Sequence, residues 1–334
     1  AAQFQAKGGW VVIQDPNTGE ILAMASHLSN ALKNPIVQDT YEPGSTFKVV
    51  AAAAALEESL VAESDTFFCE NGRYEISPGV FINDHEPESN LTLQGILERS
   101  SNIGIAKVVE KLGAMRFYRY SRAFGFAIKT GINLPGETAG EMKPLSQLSR
   151  VVLAASSYGY GIGTSALQVV NAYSAIANGG ILYEPNIIAD GRRPNRVRRV
   201  MSEGTARTLS RMLEGVVDRG TALPARIAGY RVAGKTGTAR KLDRRTGQYS
   251  TSAYMASFVG FLPADKPRWT ILVVMDEPQG QYYGGQVSAP VFAKLGRRLL
   301  AMEGVPPDRS AELQVTALAP KPLAAAPRPG RAGR

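Results

Sequence analysis

Val232-Ala233-Gly234-Lys235-Thr236-Gly237-Thr238-Ala239 is a run of small and β-branched residues with a Lys-Thr-Gly triplet at its centre. That composition suits an edge strand, with glycines where another backbone comes close. Two more β-rich runs follow, Met255 to Leu262 and Trp269 to Asp276, joined by Pro263-Ala264-Asp265-Lys266-Pro267. The beginning of the chain mirrors this end. Trp10-Val11-Val12-Ile13, the turn-rich Asp15-Pro16-Asn17-Thr18-Gly19 and the return Ile21 to Ala25 read as a hairpin. Between the two ends the text is mostly helical: 45–60, 91–99, 103–124, 165–177 and 203–217 carry helical spacing, and Val291 to Met302 adds a last helix. The residues thus predict an α/β (α+β) architecture. A mixed sheet is closed by first and last strands, and a helical lobe, roughly 42–180, is inserted between them.

Composition narrows the chemistry. The chain has 334 residues, 44% hydrophobic and 20% charged, enough for a proper core. Its longest apolar helical stretch, Val49 to Leu56, is far short of the roughly 20 residues of a spanning helix. The single cysteine, Cys69, permits no intrachain disulfide. With that cysteine and two histidines, His27 and His85, no zinc site or other cofactor is expected. The commonest general base is also scarce, so an activated serine needs another partner. Net charge is +9, part of it in Arg192, Arg193, Arg196, Arg198 and Arg199 and in Arg240, Lys241, Arg244 and Arg245. These runs read as solvated loops; they lack the interleaved aromatics of a single-strand binder, so no nucleic-acid partner is expected. From 306 to 334 the chain turns to Ala, Pro, Gly and Arg, and is expected to be disordered from Ala317 onward.

Three short motifs occur in order: Ser45-Thr46-Phe47-Lys48, Ser100-Ser101-Asn102 and Lys235-Thr236-Gly237-Thr238. S-x-x-K with K-T-G is a known signature of penicillin-binding proteins and β-lactamases. An isolated S-x-x-K arises by chance roughly once in a chain this long, so it is the ordered set that carries weight. Pro43-Gly44 breaks the chain, and a helix starting at Ser45 would put Lys48 on the face of the Ser45 hydroxyl. The first helical turn and burial both disfavour the ammonium form, and a neutral amine can accept the serine proton. Ser100 could relay that proton, while Asn102 could hold the lysine and bind a substrate amide. Lys235, Thr236 and Thr238 would meet a carboxylate, Gly237 would let a ligand approach, and the N–H groups of Ser45 and Thr238 would form an oxyanion hole. A second Lys129-Thr130-Gly131 runs into Ile132-Asn133-Leu134-Pro135-Gly136, a loop, and is the decoy.

With these motifs in place, the chain resembles the transpeptidase domain of class B penicillin-binding proteins from about Gly8 to Met302. Asp15-Pro16-Asn17-Thr18-Gly19-Glu20, Tyr41-Glu42-Pro43-Gly44, Leu134-Pro135-Gly136-Glu137 and Asp276-Glu277-Pro278 look like that family. So does Tyr282-Tyr283-Gly284-Gly285 with Ala289-Pro290-Val291-Phe292, a stretch most similar to the division (septal) branch. The resemblance implies one domain over 1–305, with a five-stranded antiparallel sheet flanked by helices. It implies a D,D-transpeptidase whose partners are peptidoglycan stem peptides ending in D-Ala-D-Ala, and which β-lactam antibiotics acylate at Ser45. It further implies an extracytoplasmic (periplasmic) site on the inner membrane, an N-terminal anchor and pedestal outside this sequence, and a lipid-linked-precursor glycosyltransferase and division proteins as companions. A D,D-carboxypeptidase, a serine β-lactamase (disfavoured because E-x-x-L-N is missing) and a penicillin-sensing receptor remain the alternatives.

Overall fold

The computed structural model describes residues 1–27, 33–188, 191, 193–243 and 245–308. The tail expected to be disordered, and Arg192 and Arg244 of the basic runs, lie outside them. Five strands form the main sheet: β1 (Gly8–Gln14), β2 (Ile21–His27), β3 (Ala233–Asp243), β4 (Gln248–Leu262) and β5 (Trp269–Asp276). Their order is β3-β4-β5-β1-β2, so the Lys235 strand is one edge. One row across the sheet reads Lys235, Val259, Leu272, Val12, Met24.

Every pairing in this sheet is antiparallel, which corrects the mixed sheet expected from the residues. The reason is topological. The helical residues leave from β2 at one edge and return to β3 at the other, so no crossover joins neighbouring strands and none has to run parallel. β5 is buried over nearly its whole length, and both α6 (Ala166–Ala177) and α8 (Ala289–Met302) pack against it. That cover explains its continuous apolar run.

The centre of the helical part is α1 (Lys48–Glu57), in which Val49 to Ala55 are 0–1% exposed. A helix apolar all round must be enclosed. Its neighbours include α3 (Asn102–Leu112), α4 (Ala114–Ala123) and α7 (Glu203–Asp218), and the five consecutive alanines let them come close. Three expectations are corrected here. The helix does not begin at Ser45: Gly44–Phe47 is a 3-10 turn, a tightening common at helix ends, and α-helix starts at Lys48. The single helix expected over 103–124 is two, parted at Gly113, whose φ of 83° lies outside helical space. The helix expected from Leu91 starts at Leu93, because Thr92 caps it and Leu91 pairs with Phe67 in a short ribbon; this is α2 (Leu93–Arg99). Helix α5 (Arg150–Ser157) and the ribbons Arg73–Ser77 with Val80–Asn83 and Ile181–Tyr183 with Arg196–Arg199 were not foreseen.

Candidate active site

Ser45 is half-buried on the 3-10 turn, which is clamped from behind. Phe47 is buried against Phe126 and Phe117, with ring centroids 4.7 and 6.1 Å away. Burying that ring contributes about 2–3 kcal/mol to holding the turn. Thr46 Oγ1 donates to the Pro43 carbonyl at 2.8 Å, and Tyr173 OH, from α6, donates to the Thr46 carbonyl at 2.9 Å. The serine therefore stands on a turn fixed to both the sheet-covering helix and the helical core. Its hydroxyl forms no hydrogen bond to another described residue, leaving it free to meet a ligand.

Lys48 enters the protein one turn later and is fully buried. Its Nζ donates to the Ser100 carbonyl at 2.5 Å and to Ser100 Oγ at 3.1 Å. Lys235 is also fully buried, and its Nζ donates to the same Ser100 Oγ at 2.9 Å. One hydroxyl thus bridges two amines from different parts of the chain. Burial, and then the like charge of Lys235, push the Lys48 amine well below the usual lysine range, against a smaller opposing pull from Asp84. Burial alone lowers Lys235 to about 7. Desolvation disfavours the charged form of both, and repulsion between them adds to it at Lys48. The arrangement can hold at least one neutral amine at neutral pH beside a hydroxyl that can pass a proton.

Ser100 ends α2 in the left-handed region, φ 60° and ψ 38°. Ser101 then caps α3, accepting from the Gly104 N–H at 2.8 Å. Asn102 does not reach the lysine as expected: its Nδ2 donates to the Asn83 carbonyl at 3.0 Å, and the Ser100 carbonyl takes the position beside Lys48. Sequence reasoning also missed Asp84. Its carboxylate accepts from Ser101 Oγ at 2.5 Å, from Asn102 N at 2.5 Å and from Ile103 N at 3.0 Å. No local pattern announces such a contact, since it joins a hairpin end to a helix start.

On the edge strand, Thr236 Oγ1 lies 2.8 Å from Thr221 Oγ1, and Thr238 Oγ1 accepts from the Gly284 N–H at 3.0 Å, which leaves the Thr238 proton free to donate. Gly237 serves a closer purpose than admitting a ligand. A Cβ there would stand 2.4 Å from Ser257 Oγ and 2.9 Å from both the Pro43 carbonyl oxygen and Thr46 Cγ2. It is the point where the sheet edge touches the serine turn. Tyr254 stacks on Tyr282 at 4.2 Å, Tyr282 meets Tyr283 at 4.6 Å, and Tyr283 meets exposed His85 at 5.1 Å. The second Lys-Thr-Gly lies in a loop: Lys129 is exposed, and Thr130 is fastened through its N–H and hydroxyl to Glu137 Oε1, both at 2.6 Å.

Comparison with known proteins points to one family. Residues 9–296 match the model of the penicillin binding protein transpeptidase domain. Stage V sporulation protein D of Bacillus subtilis is 35% identical over 92% of this chain and 51% of its own length; the peptidoglycan D,D-transpeptidase FtsI of Escherichia coli is 36% identical over 91% and 53%. The chain spans about half the length of these relatives. Among solved structures, the apo transpeptidase domain of Burkholderia pseudomallei penicillin-binding protein 3 superposes with a TM-score of 0.85, at 35% identity and 92% coverage of each chain. Mycobacterium tuberculosis penicillin-binding protein 3 complexed with ampicillin superposes at 0.84, with 33% identity over 92% of this chain and 74% of that one. A family model that covers residues 9–296, and relatives and solved domains about 35% identical over most of its length, show that the chain belongs to the penicillin-binding protein transpeptidase domain family.

Proposed function

We propose that the chain is a peptidoglycan D,D-transpeptidase that works through an acyl-enzyme on Ser45 and is acylated there by β-lactams. The observation that carries this reading is the convergence of Lys48 and Lys235 on Ser100 Oγ, at 3.1 and 2.9 Å, beside the turn that presents Ser45. In this reading residues 1–305 act as one domain, with 42–180 as the inserted lobe.

A stem peptide ending in D-Ala-D-Ala adds alongside the free edge of β3. Its terminal carboxylate meets the Lys235 ammonium and the hydroxyls of Thr236 and Thr238. Neutral Lys48 takes the Ser45 proton as Oγ bonds to the penultimate D-Ala carbonyl carbon. The developing oxyanion is held by the N–H groups of Ser45 and Thr238, a donor pair in which each member contributes about 3 kcal/mol. The C–N bond then breaks, and the proton travels from Lys48 through Ser100 Oγ to the departing D-Ala amine. An amine from a second stem attacks the ester, gives its proton back along the same path and leaves Ser45 free. Asn102, its Nδ2 donating to the Asn83 carbonyl, would still be available to bind the substrate amide through its Oδ1. Relatives named for sporulation and for peptidoglycan D,D-transpeptidation support a role in cell-wall synthesis; an extracytoplasmic site, and a glycosyltransferase and division proteins as companions of the whole protein, belong to the same proposal.

Intact-mass measurement with a β-lactam over hours tests the reading. A stable adduct of one β-lactam per chain, lost in Ser45→Ala, is expected. Rapid return to the free mass would make the chain a β-lactamase, and D-Ala release from a pentapeptide without cross-linked product would make it a carboxypeptidase.

A further inference from the structure

We propose that Asp84 is a positioning residue of the acyl-transfer site, pinning the turn that sets Ser100 between the two buried amines. This rests on the reading that Ser45 is acylated. Ser100 occupies the left-handed region, which costs a residue with a side chain about 1–2 kcal/mol. Something must hold it there. Its own N-terminal support is ordinary helix closure, an N–H donated to Ile96 O. On its C-terminal side the Ser101 N–H also closes onto Ile96 O at 3.0 Å, and one carboxylate then takes three donors from the residues that follow: Ser101 Oγ, Asn102 N and Ile103 N.

Capping alone does not account for that carboxylate. Ser101 already caps α3 through its own Oγ. Asp84 supplies what a cap cannot: a fixed, external point from which the start of α3 is measured. It is anchored in turn by its N–H to Gly72 O at 3.0 Å, and the adjoining Asn83 carbonyl receives Asn102 Nδ2. The hydrogen bonds are charge-assisted and aimed at a helix N-terminus, so they are stronger than neutral ones. The geometry makes the consequence specific. Both oxygens of Ser100 are in use, the carbonyl on Lys48 and Oγ on Lys48 and Lys235. Any rotation of this turn moves both at once, and both amines lose alignment together. Displacement of a reacting group by about 1 Å can cost on the order of 10²-fold in rate.

The test measures the acylation constant k2, the pre-acylation constant K and the labelled fraction by rapid mixing with a fluorescent penicillin. Asp84→Ala is expected to lower k2 by about 100-fold. Asp84→Asn, which can still accept from the two backbone N–H groups but loses the charge, is expected to lower it by about 10-fold. In both, K should stay within about threefold and labelling should still reach one per chain, while Glu86→Gln, an exposed neighbouring charge, should match wild type. A k2 retained in the variants, a change confined to K, or a smaller labelled fraction with unchanged k2 would each overturn the proposal, the last by making Asp84 a folding residue only. If Asp84→Ala does not fold, Asp84→Asn decides, and k2 within about twofold of wild type sinks the idea. A wild-type chain that takes no label at all would overturn the Ser45 reading instead.

Discussion

Replacing Lys235 with methionine should make the protein more stable and less active, and the gain in stability should shrink as pH rises. Burial lowers the Lys235 amine to about 7, from 10.5 in an unfolded chain. Each unit is worth about 1.4 kcal/mol, so keeping this side chain inside costs about 4 kcal/mol at pH 7 and about 2 kcal/mol at pH 9. The sign follows from proton counting. Between pH 7 and 10.5 the unfolded chain holds a proton that the folded chain has released, so wild-type stability rises with pH across that window. Methionine, of similar length, carries no ionisable group and no such cost. It forfeits the hydrogen bond to Ser100 Oγ, about 1 kcal/mol, but Ser100 keeps Lys48. Removing the like charge also relieves Lys48, which acts in the same direction. Urea denaturation at pH 7 and pH 9 should show Lys235→Met ahead by about 3 kcal/mol at the lower pH, with about 2 kcal/mol of that lost at the higher. Penicillin labelling should fall steeply. An advantage that does not change with pH, or a variant less stable at pH 7, would refute the claim that an uncompensated buried amine sits at this position.

Gly237→Ala should slow acylation by about 10²-fold, because the added methyl forces the sheet edge away from the serine turn. Adding Ser257→Gly should not restore the rate, since the Pro43 carbonyl and Thr46 remain at 2.9 Å; full rescue would mean that the turn is not the obstacle. Lys129→Ala should label at the wild-type rate while Lys235→Ala labels slowly, and the reverse order would make the loop motif the working one. Phe47→Ala should cost about 3–5 kcal/mol by thermal or urea denaturation, the range for emptying an aromatic site in a core; a loss under about 1 kcal/mol would show that the ring does not anchor the turn.

The two Lys-Thr-Gly triplets show what sequence patterning can resolve. One lies among small and β-branched residues that suit a strand, the other runs into Leu-Pro-Gly, and the structure puts the first on the sheet edge and the second in a loop fastened by Glu137. Strand composition and turn chemistry are local, so they can be read locally. The break at Gly113 is local too, yet helical spacing continues on both sides of it and masks it. What could not be read is which groups meet. The three-residue spacing from Ser45 to Lys48 suggests a direct pair, yet the amine turns to Ser100, more than fifty positions away, because a buried donor goes where acceptors are fixed. Asp84 is hidden for the same reason: nothing near it in the chain needs a carboxylate, while the helix start at Ser101 does. The lysines' chemistry has that tertiary origin too. An S-x-x-K written on an exposed helix would keep its ammonium, and here the ammonium is disfavoured by the alanine-rich helix that draws it inside and by the second lysine brought up on the sheet edge. The motif therefore names the atoms, and the packing around α1 decides whether they can act as a base.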